Sequence, residues 1–208
     1  SRVIGCTVAS PTLAFSATKF FNDHDIPWEW VRSESVHEAE GFTLTNAYER
    51  TGQLGPDRWY AAIGALSLFR GTPLLVVHAG TATTVDSLFQ TGDGEYRFMG
   101  GRIAPGPALM HKALLSAVPT LDSGLTEHKD FPLCSSDAIT TGIIDAQVGL
   151  ITQAYESMYE AGQRPKIILA GGSSRFLAPR LRTLHPTLIV RHNLVLGGLA
   201  QKARESKR

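Results

Sequence analysis

Apolar and polar positions recur along this chain with two different periods, and the switches between them mark out its elements. Val3, Ile4 and Val8 give residues 2–8 the pattern of a strand. Leu13, Phe15, Phe20 and Phe21 form the apolar set of a helix over 11–22, with Pro11 suited to its first turn. Residues 26–31 (Ile-Pro-Trp-Glu-Trp-Val) alternate as a strand, and Pro27 near the start favours a sheet edge. The polar stretch 33–45 reads as a mobile loop. Trp59, Ala62, Ile63, Leu66 and Phe69 predict a helix over 55–69. The unbroken apolar run 74–77 predicts a buried strand, and Thr91-Gly92-Asp93-Gly94 joins strands 81–89 and 95–103 as a hairpin. Helices over 107–117, 138–161, 174–184 and 193–205 follow, with strands over 166–170 and 188–191; Gly162 stands where a helix C-terminus favours glycine. Trp28, Trp30 and Trp59 are expected in the core.

From residue 74 onward the order is β-β-β-α-β-α-β-α, which resembles a ribonuclease-H-like domain. That unit is duplicated in the actin, Hsp70 and sugar kinase superfamily, whose members clamp ATP with the first hairpin of each copy facing the phosphates. Before residue 74 the order is β-α-β-α, which is what a first copy would keep without its opening β-β-β-α. The expectation is an α/β fold with a duplicated ribonuclease-H-like domain: a first copy at 1–72, truncated at its N-terminus, and a second at 73–208.

Composition narrows the partners. A net charge of +1 over 208 residues gives no support for nucleic-acid or membrane binding. The one basic run, 202–208, reads as a frayed, solvated end. Cys6 and Cys134 fit neither a metal pattern nor a disulfide framework, so a reducing cytoplasm is expected. No apolar run reaches the length of a membrane span.

The chemistry concentrates in a few places. Val76-Val77-His78-Ala79-Gly80-Thr81-Ala82-Thr83-Thr84-Val85-Asp86 carries an apolar run into a small, hydroxyl-rich turn, and Gly100-Gly101 follows. Such a backbone lets a polyanion approach its N–H groups. Neither the G-x-x-x-x-G-K-[ST] spacing nor a dinucleotide G-x-G-x-x-G turn is matched. Thr81, Thr83 and Thr84 could simply be strand formers; Thr81, beside Gly80, is the best placed of them to meet phosphate. Asp86 could pair with Arg102, serve a turn, or contact a water-bound Mg²⁺. Gly171-Gly172 ends a buried strand and opens a helix, which suits a phosphate or adenosine contact, or close strand–helix packing. Asp57 could cap a helix or act as a general base. Arg58 could pair at the surface or hold a carboxylate in its planar fork. Tyr48 could anchor a loop or touch a substrate. His78 reads as a core histidine.

These motifs resemble one family when taken in order. Asn46-Ala47-Tyr48 with Leu54-Gly55-Pro56-Asp57-Arg58-Trp59 is similar to a Tyr-x-x-Pro…Gly-Ala-Asp-Arg pattern. Gly80-Thr81-Ala82-Thr83-Thr84-Val85-Asp86 with Gly100-Gly101-Arg102-Ile103-Ala104-Pro105-Gly106 is similar to Gly-Thr-Ala-x-Thr-x-Asp…Gly-Gly-x-Ile-x-Pro-Gly. With residues 138–142, Gly171-Gly172 and Asn193-Leu194-Val195-Leu196, the chain resembles type III pantothenate kinase over residues 3–200, most nearly the Bvg accessory factor branch. The family's opening Asp-x-Gly-Asn-[TS]-x-x-Lys hairpin has no counterpart here. Pro56 replaces the family's Ala. His78 stands where many members carry an Asp associated with a monovalent cation, and Ser135 stands where many carry a Thr that contacts pantothenate.

The resemblance implies ATP-dependent phosphorylation of pantothenate to 4′-phosphopantothenate, the first step toward coenzyme A. It implies Mg²⁺ on ATP, a monovalent cation (K⁺ or NH₄⁺), and a homodimer, for which the long helix from Ala138 is the expected interface. Asp57 becomes the catalytic base. Tyr48, Gly55, Pro56, Arg58 and Ser135 join it at pantothenate, and Gly80, Thr81, Thr83, Gly171 and Gly172 fall to ATP. The alternative is an accessory or regulatory protein of the same fold with little kinase activity. The absent opening hairpin adds two expectations: that these residues alone are inactive, and that the first strand exposes a sheet edge.

Overall fold

The computed structural model describes residues 2–8, 10–121 and 124–205. The chain folds as two compact units. The first comprises Ser1–Gly71, Gln90–Met99 and Leu194–Arg208; the second comprises Thr72–Phe89 and Gly100–Asn193.

In the first unit, β1 (Val3–Gly5) runs parallel to β2 (Trp28–Trp30), with α1 (Pro11–Asp23) between them in sequence. The ladder covers three residues a side, shorter than the sequence pattern predicts, and its last bond runs from the Val31 N–H to the Gly5 carbonyl. Among the described residues β1 pairs with β2 alone. Ser10 caps α1 by accepting from the Leu13 N–H, and Pro11 takes the first turn. The apolar set of α1 is corrected: Leu13, Phe15 and Phe20 are more than half exposed. Trp28 and Trp30 are half-buried rather than core, and each indole N–H donates to a polar side chain, Asn22 Oδ1 at 2.7 Å and Thr18 Oγ1 at 2.9 Å.

The stretch read as a loop is a hairpin. β3 (Val36–Ala39) pairs antiparallel with β4 (Phe42–Asn46) around Gly41, whose φ of +85° favours glycine. Phe42 and Leu44 are buried between outward threonines, a period of two hidden by the surrounding glutamates. β4 then runs parallel to the first half of β7 (Glu95–Pro105). α2 (Pro56–Leu68) is buried at every position from Arg58 to Leu66 and packs on α6 (Leu194–Glu205). The basic run is corrected at its start, since Lys202 lies in α6 and donates to Glu34; residues 206–208 lie outside the described residues.

In the second unit β5 (Leu74–Ala79) is the central strand. It pairs antiparallel with β6 (Ala82–Gly92) and parallel with β8 (Lys166–Ala170), which in turn pairs with β9 (Ile189–Val190). Leu74, Leu75, Val76 and Val77 are buried in succession, as a strand covered on both faces requires. The hairpin from β6 to β7 turns at Asp93-Gly94, with Gly94 at φ +70°. α3 (Pro107–Ala117) and α4 (Ser135–Glu160) come next, then α5 (Ser174–Leu184) after β8. Ile144, Val148, Ile151, Ala154 and Met158 of α4 and Leu177, Ala178 and Leu181 of α5 close over Leu75, Val77, Ile167 and Leu169. This is an α/β fold of the ribonuclease-H-like superfamily with a mixed sheet, and its elements from β5 onward follow in the predicted order. No helix of the described residues is long and apolar enough to cross a membrane.

Candidate active site

The site residues fall in two groups, one in each unit. The first group is built on the N-terminus of α2. Gly55 is the N-cap, Pro56 the first helical residue and Asp57 the second, so Asp57 is not the cap. Pro56 suits its place, where an N–H would have no helical partner. Gly55 leaves room for the Asp57 carboxylate: a Cβ there would stand 2.6 Å from Asp57 Oδ1. The half-buried carboxylate stands in the first turn, where the helix dipole favours negative charge.

Arg58 turns inward and is only 7% exposed. Its Nη1 donates to Tyr48 Oη at 3.0 Å. Its guanidinium carbon lies 5.8 Å from the centre of the Tyr48 ring and 5.7 Å from that of Phe98. The turn bearing Tyr48 is fixed at both ends: the Tyr48 N–H donates to Asn46 Oδ1 at 3.0 Å, and the Ala47 N–H donates to the Phe98 carbonyl at 3.1 Å. Tyr48, Gly55, Pro56, Asp57 and Arg58 are therefore brought together. Phe98 is the member the sequence reading missed. The signal for it was the alternation of β7, where Tyr96 and Phe98 are buried between exposed Glu95, Arg97 and Met99.

Cys6 lies near this group. Burial first, and the negative charge of Asp57 second, push its thiol up to about 11 from 9.0. That leaves roughly a hundredfold less thiolate near neutral pH than an unperturbed cysteine. Alkylation with iodoacetamide near pH 8 is expected to label exposed Cys134 and spare Cys6. Peptide mass spectrometry checks this, and equal labelling of the two would refute the placement of Cys6.

The second group gathers at the C-terminal end of β5. Gly80 and Thr81 form the turn into β6, and Thr81 is exposed. Gly106, the N-cap of α3, donates its N–H to the Thr81 carbonyl at 2.8 Å, and a Cβ on Gly106 would stand 2.0 Å from the Gly80 carbonyl oxygen. Gly171 has φ +93°, and its Cβ would stand 2.2 Å from the Ala79 carbonyl oxygen, which also accepts from the Ser173 N–H. Three turns thus meet backbone to backbone, as only glycine allows. No side chain caps α3 or α5, and Gly172 is exposed with open space around it. The start of α5 is largely satisfied by its own main chain, since Ser174 donates to the Gly171 carbonyl and Phe176 to that of Ser173, and Pro107 brings no N–H to the start of α3; each helix still turns the favourable end of its dipole to this turn.

Other expected residues lie differently. Thr83 is fully buried and its Oγ1 has no hydrogen-bond partner, so its hydroxyl is not on the exposed face of the turn. His78 is exposed rather than core. It is the one residue of β5 that breaks the buried run, and its imidazole approaches the Gly80 turn. Asp86 is buried in mid-strand, not in a turn, and Arg102 donates to Ser157 Oγ at 3.0 Å. Ser135 is the exposed first residue of α4. Close to it, Lys129 and then Thr126 donate to Asp137 and hold that carboxyl below the usual carboxylate range, tying residues 126–129 to the helix. Among the described residues no three His, Cys, Asp or Glu side chains are grouped to hold a metal.

Comparison with known proteins gives the family. The family model for type III pantothenate kinase matches residues 1–157. The type III pantothenate kinase of Polaromonas sp. strain JS666 is 35% identical over 98% of this chain and 77% of its own length. That of Aromatoleum aromaticum is 37% identical over 98% of this chain and 79% of its own. A crystal structure from Campylobacter jejuni, assigned to the Baf family of transcriptional activators, superposes with a TM-score of 0.61 at 19% identity, over all of this chain and 84% of that one. That likeness shows a shared fold. By that family match and by these relatives, the chain belongs to the type III pantothenate kinase family.

Proposed function

We propose that this chain transfers the γ-phosphoryl group of ATP to the terminal hydroxyl of pantothenate. The observation that carries the reading is the pairing of Asp57 with an inward, ring-covered Arg58 on successive residues of one rigid helix. Arg58 offers a planar fork for the pantothenate carboxylate, and Tyr48 fixes its angle. Asp57 orients the attacking hydroxyl and takes its proton. Pro56 and Gly55 set the helix start that aims both. Ser135 keeps the hydroxyl of the family's threonine and adds a polar contact to pantothenate.

On the ATP side, Gly80 and Gly171 let the phosphates approach the turn, and Thr81 and Gly172 supply main-chain donors and a hydroxyl to them. Thr83 supports that turn from within the sheet. Mg²⁺ would come on the phosphates of ATP. A monovalent cation such as K⁺ or NH₄⁺ would find a nitrogen at His78, where a hard cation such as K⁺ wants oxygen; a side-chain site there does not fit. The chain works in the cytoplasm as a homodimer through α4, and its branch is that of the Bvg accessory factors.

His78 favours a second reading, an accessory protein of the same fold with weak kinase activity. Calorimetric titration with pantothenate, followed by a coupled assay for ADP, separates the two. Saturable heat with pantothenate and pantothenate-dependent ADP release are expected. Heat without turnover would favour the accessory reading, and no heat would overturn the first.

A further inference from the structure

We propose that Phe98 is a positioning residue that makes the site select an anionic substrate end, by holding the guanidinium of Arg58 under its ring. The inference rests on the reading that Arg58 receives the pantothenate carboxylate. Phe98 is fully buried on β7, in register with Asn46 of β4, and it touches both groups that would grip that carboxylate. Its ring lies 5.7 Å from the Arg58 guanidinium carbon and 6.0 Å from the Tyr48 ring, edge to face at 65°. Trp59 backs it at 6.4 Å.

An arginine side chain is long, and ordering it costs entropy that a ligand would otherwise have to offset. Two ring faces bearing negative quadrupole hold the cation before substrate arrives. Hydrogen bonds leave a guanidinium in its own plane, so ring contacts orient the fork without occupying its donors. The phenol of Tyr48 accepts from Nη1, and its ring is braced by Phe98. The main chain of Phe98 does a separate job, since its carbonyl holds the Ala47 N–H. A side-chain change at 98 leaves that bond in place and tests the ring alone.

The experiment titrates the full chain with pantothenate and with the analogue carrying CH₂OH in place of the carboxylate. Phe98→Leu is expected to weaken pantothenate binding about tenfold and to change binding of the neutral analogue less than about twofold. Fluorinated phenylalanines at position 98 keep the volume and drain the ring quadrupole. Affinity for pantothenate is expected to fall stepwise with fluorine count while the melting temperature holds. Equal losses for both ligands, or no trend with fluorination, would overturn the inference. Arg58→Gln is the control for its foundation. If that variant keeps the preference for pantothenate, the carboxylate assignment itself fails. If it loses the preference while fluorination has no effect, only the role of Phe98 fails.

Discussion

Asp57→Asn lowers the rate of phosphoryl transfer by about two to four orders of magnitude and leaves pantothenate affinity within a few-fold of the parent. Asparagine has nearly the same shape, so the start of α2 keeps its geometry and Arg58 its rings. What is lost is the negative charge and the ability to accept the proton of the hydroxyl. In a loose transition state that proton moves late, so the carboxylate serves mainly to orient the nucleophile and to receive the proton as the bond forms. An internal check is available at Cys6, whose thiol is raised partly by the charge on Asp57. Removing the charge lowers that thiol, so Cys6 alkylates faster in Asp57→Asn than in the parent. A circular-dichroism spectrum and melt like the parent's show that the variant is folded, and faster labelling of the folded variant then shows that the charge was present. Steady-state rates at saturating ATP and pantothenate, beside calorimetric affinity, complete the test. Turnover like the parent's would remove Asp57 from the chemistry. A collapse of affinity would move it to substrate binding.

How far the sequence discloses this molecule depends on whether a feature is local. The apolar run ending at Val77 and the helical spacing of Trp59, Ile63 and Leu66 are local patterns, and β5 and α2 appear where they predict. The hairpin of β3 and β4 was not legible. Its inward residues, Phe42 and Leu44, are few among charged neighbours, and its pairing with β7 lies some fifty residues away along the chain, Thr43 opposite Glu95. In α1 the periodicity correctly predicts a helix, yet Leu13, Phe15 and Phe20 stay exposed, because periodicity gives a face and not what covers it. The same division runs through the site. Tyr48, Asp57 and Arg58 are legible because their motif is nearly contiguous. Phe98 is not, since its role comes from a strand register. His78 was misjudged over which side of a strand is covered, and that a sequence pattern gives only by alternation.

Gly198→Ala is expected to destabilise the protein more than any surface change, although alanine is the better helix former. The two helices α2 and α6 cross at glycine. A Cβ on Gly198 would stand 1.9 Å from the Tyr60 carbonyl oxygen, and one on Gly64 would stand 2.0 Å from the Leu194 carbonyl oxygen. Neither glycine has a positive φ, so the backbone would accept alanine and space alone forbids it. The obstacles are main-chain atoms held in helices, and no side chain can swing aside. The helices must therefore separate, and separation opens gaps around Trp59, Ile63 and Leu66, all fully buried. Overpacking of this kind costs about 3 kcal/mol or more, set against about 1 kcal/mol gained in helix propensity. For a chain of this size a net loss of about 2 kcal/mol lowers the melting temperature by roughly 4–8 °C. Gly197→Ala is the control one residue away. Its Cβ would meet only Gly64 Cα, at 3.7 Å, an ordinary contact. It gains the propensity without the clash and is expected to raise stability by about 0.5–1 kcal/mol. Thermal melts followed by circular dichroism read both, and a Gly198→Ala melt at or above that of Gly197→Ala would mean the crossing is looser than 1.9 Å implies. Because α2 also carries Asp57 and Arg58, the separation should reach the site. Gly198→Ala is expected to weaken pantothenate binding even at temperatures where it remains folded, whereas Gly197→Ala leaves it unchanged.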